Sequence, residues 1–389
     1  MNFVFFSVHF PDFNTEFSDR LSNLGVRVLG IGDTDYENLS DRLKASLTGY
    51  YKVNDLENYD EVLRAVGYFT SQYGKIDRFE SLNEHWLETE AKIRTDFNIS
   101  GVKSDFIENI RRKSRMKHFF KRSGATPISF LEKINYEKAK RFAGSFGYPI
   151  IIKPDKGSGS SMTSRISDDA QLKDAFANLP QGTDFIAEKF IAGDMLTYDG
   201  LIDKELNIAF DSCTQYGQSI MDVVNNDGHM HYISLPKVPD DIRKVGSKVV
   251  KAFGLGERFF HLELFRSKES GEIMALEINM RPPGAWMTDA INYSYDMDVY
   301  LEWARMVVQG TVEGPFRGKY YTAYASRKTN RNYLHSHERI MDQFNGRIVK
   351  HAPIEPVFSK GMGNHGYQFR SESLEEIEEI LDFIQRETS

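Results

Sequence analysis

The chain has 389 residues, a formal net charge of -7, 40% hydrophobic and 13% aromatic content, and one cysteine. That length and apolar content suit two or three domains with real cores and exclude a disordered chain. The acidic balance argues against a dedicated nucleic-acid or anionic-membrane surface, and the lone Cys213 excludes an intramolecular disulfide framework or a multi-cysteine metal site.

The opening MNFVFFSVHF has neither a basic n-region nor a small-residue cleavage site, and no stretch of about 18 apolar residues follows, so a soluble cytoplasmic protein is expected. Phe3 to Phe6 reads as a buried strand. Phe13, Phe17, Leu21 and Leu24 then fall at helical spacing, Gly25 ends that helix, and Val26 to Ile31 resumes as strand. Strands are expected again at Tyr50 to Val53 and Ile76 to Phe79, around a helix marked by Val62, Val66 and Phe69, which makes a parallel sheet. Gly30-Ile31-Gly32 falls short of a dinucleotide fingerprint because Asp35 stands where the third glycine belongs.

A helix from Asn83 leads to the basic run Arg111 to Lys117, which by composition alone reads as a solvated helix face. Asn135 caps a helix bearing Ala139, Phe142, Ala143 and Phe146, closed by Gly147 and Pro149. The strand Ile150-Ile151-Ile152-Lys153 then runs into Asp155-Lys156-Gly157-Ser158-Gly159-Ser160-Ser161. Glycines and small hydroxyl residues let backbone N–H groups turn toward a phosphate, and a strand-end lysine adds a point charge. A flexible linker is the other reading of the same run. It is not a Walker A loop, since no Gly-Lys-Ser/Thr closes it.

Ser167, Asp168 and Asp169 start a helix, Phe185 to Ile191 forms a strand broken at Gly193-Asp194, and Leu196 to Ile202 pairs with Leu206 to Phe210. His229 and His231, two apart and without a third ligand nearby, read as ordinary histidines. His261 to Phe265 and Glu272 to Asn279 form an antiparallel hairpin around Ser267 to Gly271. Alternation puts His261 and Glu263 on one face of the first strand and Glu277 and Asn279 on one face of the second. If those faces coincide, two carboxylates and an amide oxygen form a set suited to a hard cation, with Arg281 within reach to bind phosphate or carboxylate. A solvated hairpin with surface carboxylates is the alternative. Asp298 to Val308 is helical, Ser373 and Glu376 form a capping box on the last helix, and a segment rich in Gly, Tyr and His between them, residues 311–370, carries no clear pattern.

The order of basic helix, strand-end lysine, Gly/Ser loop, Glu188-Lys189-Phe190-Ile191 strand and acidic hairpin resembles the ATP-grasp superfamily of carboxylate-amine ligases, which includes D-alanine:D-alanine ligase and the L-amino-acid ligases. The resemblance implies an ATP-grasp fold of α/β and α+β class. Its expected parts are an N-terminal parallel-sheet domain at 1–112, a small lid at 113–190, and a C-terminal antiparallel-sheet catalytic part with an extension at 191–389. It implies ATP and Mg²⁺, or Mn²⁺ in its place, as cofactors. Small carboxylate and amine substrates and a homodimer are implied as partners, with no nucleic acid or membrane. By the same resemblance Lys113, Lys153, Gly157, Ser158, Gly159 and Ser160 meet the phosphates, and Glu188, Lys189 and Ile191 hold adenine. Glu263, Glu277 and Asn279 hold metal, with Glu277, Asn279 and Arg281 serving catalysis. Where many members carry a ribose-binding glutamate, this chain has Met195, so the neighbouring Asp194 is the candidate for that contact. A non-catalytic nucleotide-binding scaffold and a small-molecule phosphotransferase are the rival readings, and the absence of His-Arg-Asp and Asp-Phe-Gly triplets argues against a protein kinase.

Overall fold

A computed structural model describes residues 1–157, 162–218, 223 and 227–388. Strands β1 (Asn2–Phe6), β2 (Arg27–Gly32), β3 (Gly49–Lys52) and β4 (Arg78–Glu80) form a parallel sheet in the order β3-β2-β1-β4. All five residues of β1 are buried, as a parallel strand covered on both faces requires. Phe3 and Phe5 face a core with Phe17 and Trp303, while Val4 and Phe6 face another with Val66, Phe69 and Phe79. Gly30 and Gly32 lie inside β2 rather than in a loop after it. A Cβ on Gly32 would come within 2.5 Å of the Tyr50 hydroxyl, so close packing accounts for that glycine.

The small sheet runs β6-β9-β7-β8, with β6 at Phe130–Leu131, β7 at Ile150–Pro154, β8 at Ser164–Ile166 and β9 at Phe185–Lys189. Two helices cover it. Asn135 caps Tyr136–Phe146 by accepting from the Lys138 N–H, and Asp168 caps Asp169–Asn178 by accepting from the Gln171 N–H. Ala139, Phe142 and Leu172 then pack on Ile150 and Ile152.

The large sheet has nine strands in the order β16-β17-β15-β12-β11-β10-β13-β14-β5. They are β5 (Thr126–Pro127), β10 (Gly193–Ile202), β11 (Ile208–Tyr216), β12 (His231–Leu235), β13 (Arg258–Ser267), β14 (Ile273–Asn279), β15 (Tyr321–Arg327), β16 (Ile348–Pro353) and β17 (His365–Ser371). β10 starts at Gly193, where sequence suggested a break, because its pairing with β13 runs without interruption from Gly193 to Ile202. The stretch 113–127, assigned to the lid by sequence, packs on this sheet instead. β5 pairs with β14, and Phe119 of the helix Lys113–Ser123 stacks on Phe253 at 4.4 Å between ring centroids. The unplaced segment 311–370 supplies β15, β16 and β17, joined to β12 through pairs such as His231 with Ala325.

Candidate ATP and metal site

The register of β13 and β14 brings the two predicted faces together: His261 pairs with Asn279 and Glu263 with Glu277. β10 adds Asp199 opposite His261 and Thr197 opposite Glu263. One sheet face therefore carries Thr197, Asp199, His261, Glu263, Glu277 and Asn279. The Thr197 hydroxyl donates to Asp199 at 2.5 Å, and the other Asp199 oxygen lies 2.5 Å from His261 Nδ1. His261 Nε2 is 3.6 Å from Glu263. Burial alone would lower the His261 pKa, but Asp199 and then Glu263 outweigh it and hold the ring cationic with a pKa of about 9. Burial also opposes ionisation of Glu263, yet His261, Lys153 and Lys113 hold its carboxyl below the usual range. Asn279 Oδ1 is buried and makes no hydrogen bond among the described residues. A buried orphan acceptor is costly, and beside the carboxylates of Glu263 and Glu277 it completes a hard-oxygen set that fits Mg²⁺.

Lysines line the other side. The helix Lys113–Ser123 is anchored at its first turn by Asp155, whose carboxylate accepts from the Ser114 N–H at 2.8 Å and the Ser114 hydroxyl at 2.9 Å. That contact ties the helix to the end of β7 and sets Lys113 Nζ 3.2 Å from Glu277 and 2.6 Å from the Gly157 carbonyl. The basic run is not a solvated face, because Lys113, Ser114, Met116 and Lys117 are all buried. Arg112 meets Glu108, Asp155 and Asp184, and Arg111 meets Glu84. Lys117, one turn after Lys113, is fully buried with Nζ 2.7 Å from Glu188, whose other oxygen lies 2.8 Å from Lys153 Nζ. Burial would raise the Glu188 pKa, but Lys117 and Lys153 together hold it at about 2. The two lysines respond in opposite directions. Burial, with Lys153 nearby, pushes Lys117 down, whereas for Lys153 the effect of burial is exceeded by Glu188 and Glu277 and the pKa rises.

Arg281 follows β14, with Nε 3.5 Å from buried Glu84 and one terminal nitrogen donating to the Pro282 carbonyl at 2.8 Å. Beyond it, Asp289 accepts from the Tyr300 hydroxyl at 2.6 Å and pairs with Lys350, whose Nζ lies 4.4 Å from the Trp286 ring centre.

Lys189 ends β9, and its N–H donates to the Ser129 carbonyl at 2.9 Å; Ile191 is half-buried in the following connection. Gly157 has φ +118°, a backbone conformation that L side chains rarely adopt. Ser158, Gly159 and Ser160 lie outside the described residues. Asp194 does not join the site. On β10 it alternates with Met195 and Thr197, so it projects to the opposite sheet face and approaches Lys268 at 3.6 Å, while Met195 takes the site face. Sequence reasoning missed Lys117 and the Asp199–His261 pair. The i, i+4 spacing of Lys113 and Lys117 was the available signal for the first.

Residues 146–289 match the family model of the ATP-grasp domain. The chain is 24% identical over 258 residues to the L-arginine-specific L-amino acid ligase of Bacillus subtilis, covering 64% of this chain and 62% of that protein. It is 36% identical over 78 residues to a D-alanine–D-alanine ligase of Clostridium botulinum, covering 20% of this chain and 25% of the relative. Among solved structures, the L-amino acid ligase of Bacillus licheniformis superposes with a TM-score of 0.76 at 17% identity, covering 98% of this chain and 95% of that one. No helix among the described residues is long and apolar enough to cross a membrane. The hairpin with its two carboxylates and strands β7 to β9 of the small sheet thus lie within the residues that match the ATP-grasp domain, and the chain shares the fold of the solved L-amino acid ligase.

Proposed function

We propose that the protein is an ATP-dependent, ADP-forming carboxylate-amine ligase acting on small molecules. The observation that carries this reading is the register pairing Glu263 with Glu277 beside the orphaned oxygen of Asn279, with Lys113 at 3.2 Å from Glu277. The names of the relatives, an L-amino acid ligase and a D-alanine–D-alanine ligase, support the same class of reaction.

In the proposed reaction, a substrate carboxylate oxygen attacks the γ-phosphorus of ATP, the bond to the β-phosphate oxygen breaks, and ADP leaves. An amine then attacks the acyl carbon, phosphate departs, and one proton is released as the amide forms. Glu263, Glu277 and Asn279 would hold Mg²⁺ (or Mn²⁺), which supplies charge neutralisation on the transferring phosphoryl oxygens. Lys113 and Lys153 neutralise phosphate oxygens, and Lys117 keeps Glu188 ionised so that Lys153 stays charged and fixed. Glu188, Lys189 and Ile191 form the adenine side. Arg281, half-buried beside Glu84, steadies the acyl phosphate or the substrate carboxylate. Positioning and charge perform this chemistry without a side-chain nucleophile. In this reading 1–112 is the N-terminal domain, 128–190 closes over the nucleotide while 113–127 stays on the large sheet, and 191–389 carries the catalytic sheet and its extension.

The test is ADP and phosphate release over pooled amino acids and pooled amines with ATP and Mg²⁺. A signal that needs both pools supports the ligase. ATP binding without turnover in any pool would overturn it in favour of a scaffold, and stable phosphorylated product without an amine would favour a phosphotransferase.

A further inference from the structure

Residues 311–370 hold four histidines that the proposed ligase chemistry does not use, and three of them, His337, His351 and His365, converge. His337 starts the helix His337–Gln343, His351 lies on β16, and His365 opens β17. One ligand nitrogen from each lies within 4.8 Å of the others. Ring centroids are 5.0 Å apart for His337 and His351, 5.4 Å for His337 and His365, and 5.9 Å for His351 and His365. His365 Nε2 is buried and has no hydrogen-bond partner among the described residues. His337 Nδ1 lies 2.8 Å from the Tyr367 hydroxyl, and donating its proton there leaves Nε2 as the lone-pair nitrogen.

We propose that His337, His351 and His365 form a site for a late first-row divalent cation, Zn²⁺ by preference, that clamps the helix onto the β16–β17 ribbon. Three neutral imidazoles suit Zn²⁺, and three protein ligands leave a fourth position for water. A tetrahedral ion with nitrogens at ~2.0–2.1 Å needs them roughly 3.4 Å apart, so the rings must draw in slightly, which exposed His351 is free to do.

The position has a consequence for the ribbon. Alternation puts His351 on the face opposite Lys350, and His365 and Tyr367 on the face opposite Gly366 and Gln368. Those other residues face the segment after Arg281: Lys350 pairs with Asp289, Gln368 donates to the Trp286 carbonyl at 2.7 Å, and a Cβ on Gly366 would meet the Trp286 ring at 2.9 Å. A cation on the outer face therefore braces the strands whose inner face supports Trp286 and Asp289.

The full chain, stripped with EDTA and returned to excess Mg²⁺ so that the carboxylate site is saturated, is dialysed against Zn²⁺ and its metal content measured. One equivalent is expected, and the Co²⁺ form should show the visible absorption of a low-coordinate site. His351→Ala, a change at an exposed residue, should weaken Zn²⁺ by more than the roughly 10–100-fold that losing an outer partner costs, and Tyr367→Phe should fall within that range. Melting of the metal-free His351→Ala chain should match wild type. Wild-type protein that takes up no stoichiometric Zn²⁺, or a His351→Ala chain that keeps both affinity and Co²⁺ spectrum, would overturn the site.

Discussion

Replacing Glu188 with Gln leaves Lys117 and Lys153 facing a neutral amide where they now sit 2.7 and 2.8 Å from a shared carboxylate. The carboxyl is held at about 2 against an ordinary 4.5, which at neutral pH corresponds to roughly 3 kcal/mol of folding free energy. A separate route agrees, since removing one partner of a buried ion pair typically costs about 3–5 kcal/mol. Lys117, already pushed down by burial and by Lys153, cushions the loss by shedding its proton, so roughly 3 kcal/mol is the upper end. The sign follows from the lowered folded-state value. The contribution is complete above pH 4.5 and is lost as pH falls through about 2. Urea unfolding of wild type and Glu188→Gln at neutral pH should differ by 2–3 kcal/mol, falling to about 1 kcal/mol near pH 3. A Gln variant as stable as wild type at neutral pH, or a gap that does not narrow in acid, would refute the buried Lys-Glu-Lys arrangement.

Glu277→Gln should lower Mg²⁺-dependent turnover roughly 100-fold or more while circular dichroism stays unchanged, because it removes a metal charge from a polar, pre-formed site. Lys153→Ala should weaken ATP in calorimetry and leave binding of the carboxylate substrate nearly unchanged; equal losses would make the lysine purely structural. His261, raised from 6.5 to about 9 by Asp199 and Glu263 against burial, contributes stability that is complete below pH 6.5 and lost as pH rises through 9. In Mg²⁺-free buffer wild type should lose about 3 kcal/mol across that window, and His261→Gln should be nearly flat there when both are followed by urea unfolding.

The facing of the acidic hairpin was legible in sequence because side chains alternate along a strand. With Glu263 opposite Glu277, His261 falls opposite Asn279, while a bulge after Glu263 shifts the pairs beyond it to Leu264 with Ala275. The caps at Asn135 and Ser373 were legible because a cap is a local pattern of residue type and spacing. Lys117 was not, since composition cannot distinguish a basic helix facing water from one facing a buried carboxylate fifty residues or more away in sequence. Asp194 was misjudged because adjacency to Met195 along a strand means opposite faces, not a shared one. β15 escaped notice because its partners lie far along the chain: it joins β12 on one side and β17 on the other, with β16 paired to the nearer β17.

The central claim is that a carboxylate oxygen takes the γ-phosphoryl group before the amine attacks. Once the release screen has identified an acid and an amine, that acid is supplied with ¹⁸O in both carboxylate positions and the products are read by mass spectrometry. Transfer of one ¹⁸O to inorganic phosphate, with the other kept in the amide, is the predicted result. Phosphate free of ¹⁸O alongside amide product would contradict an acyl phosphate.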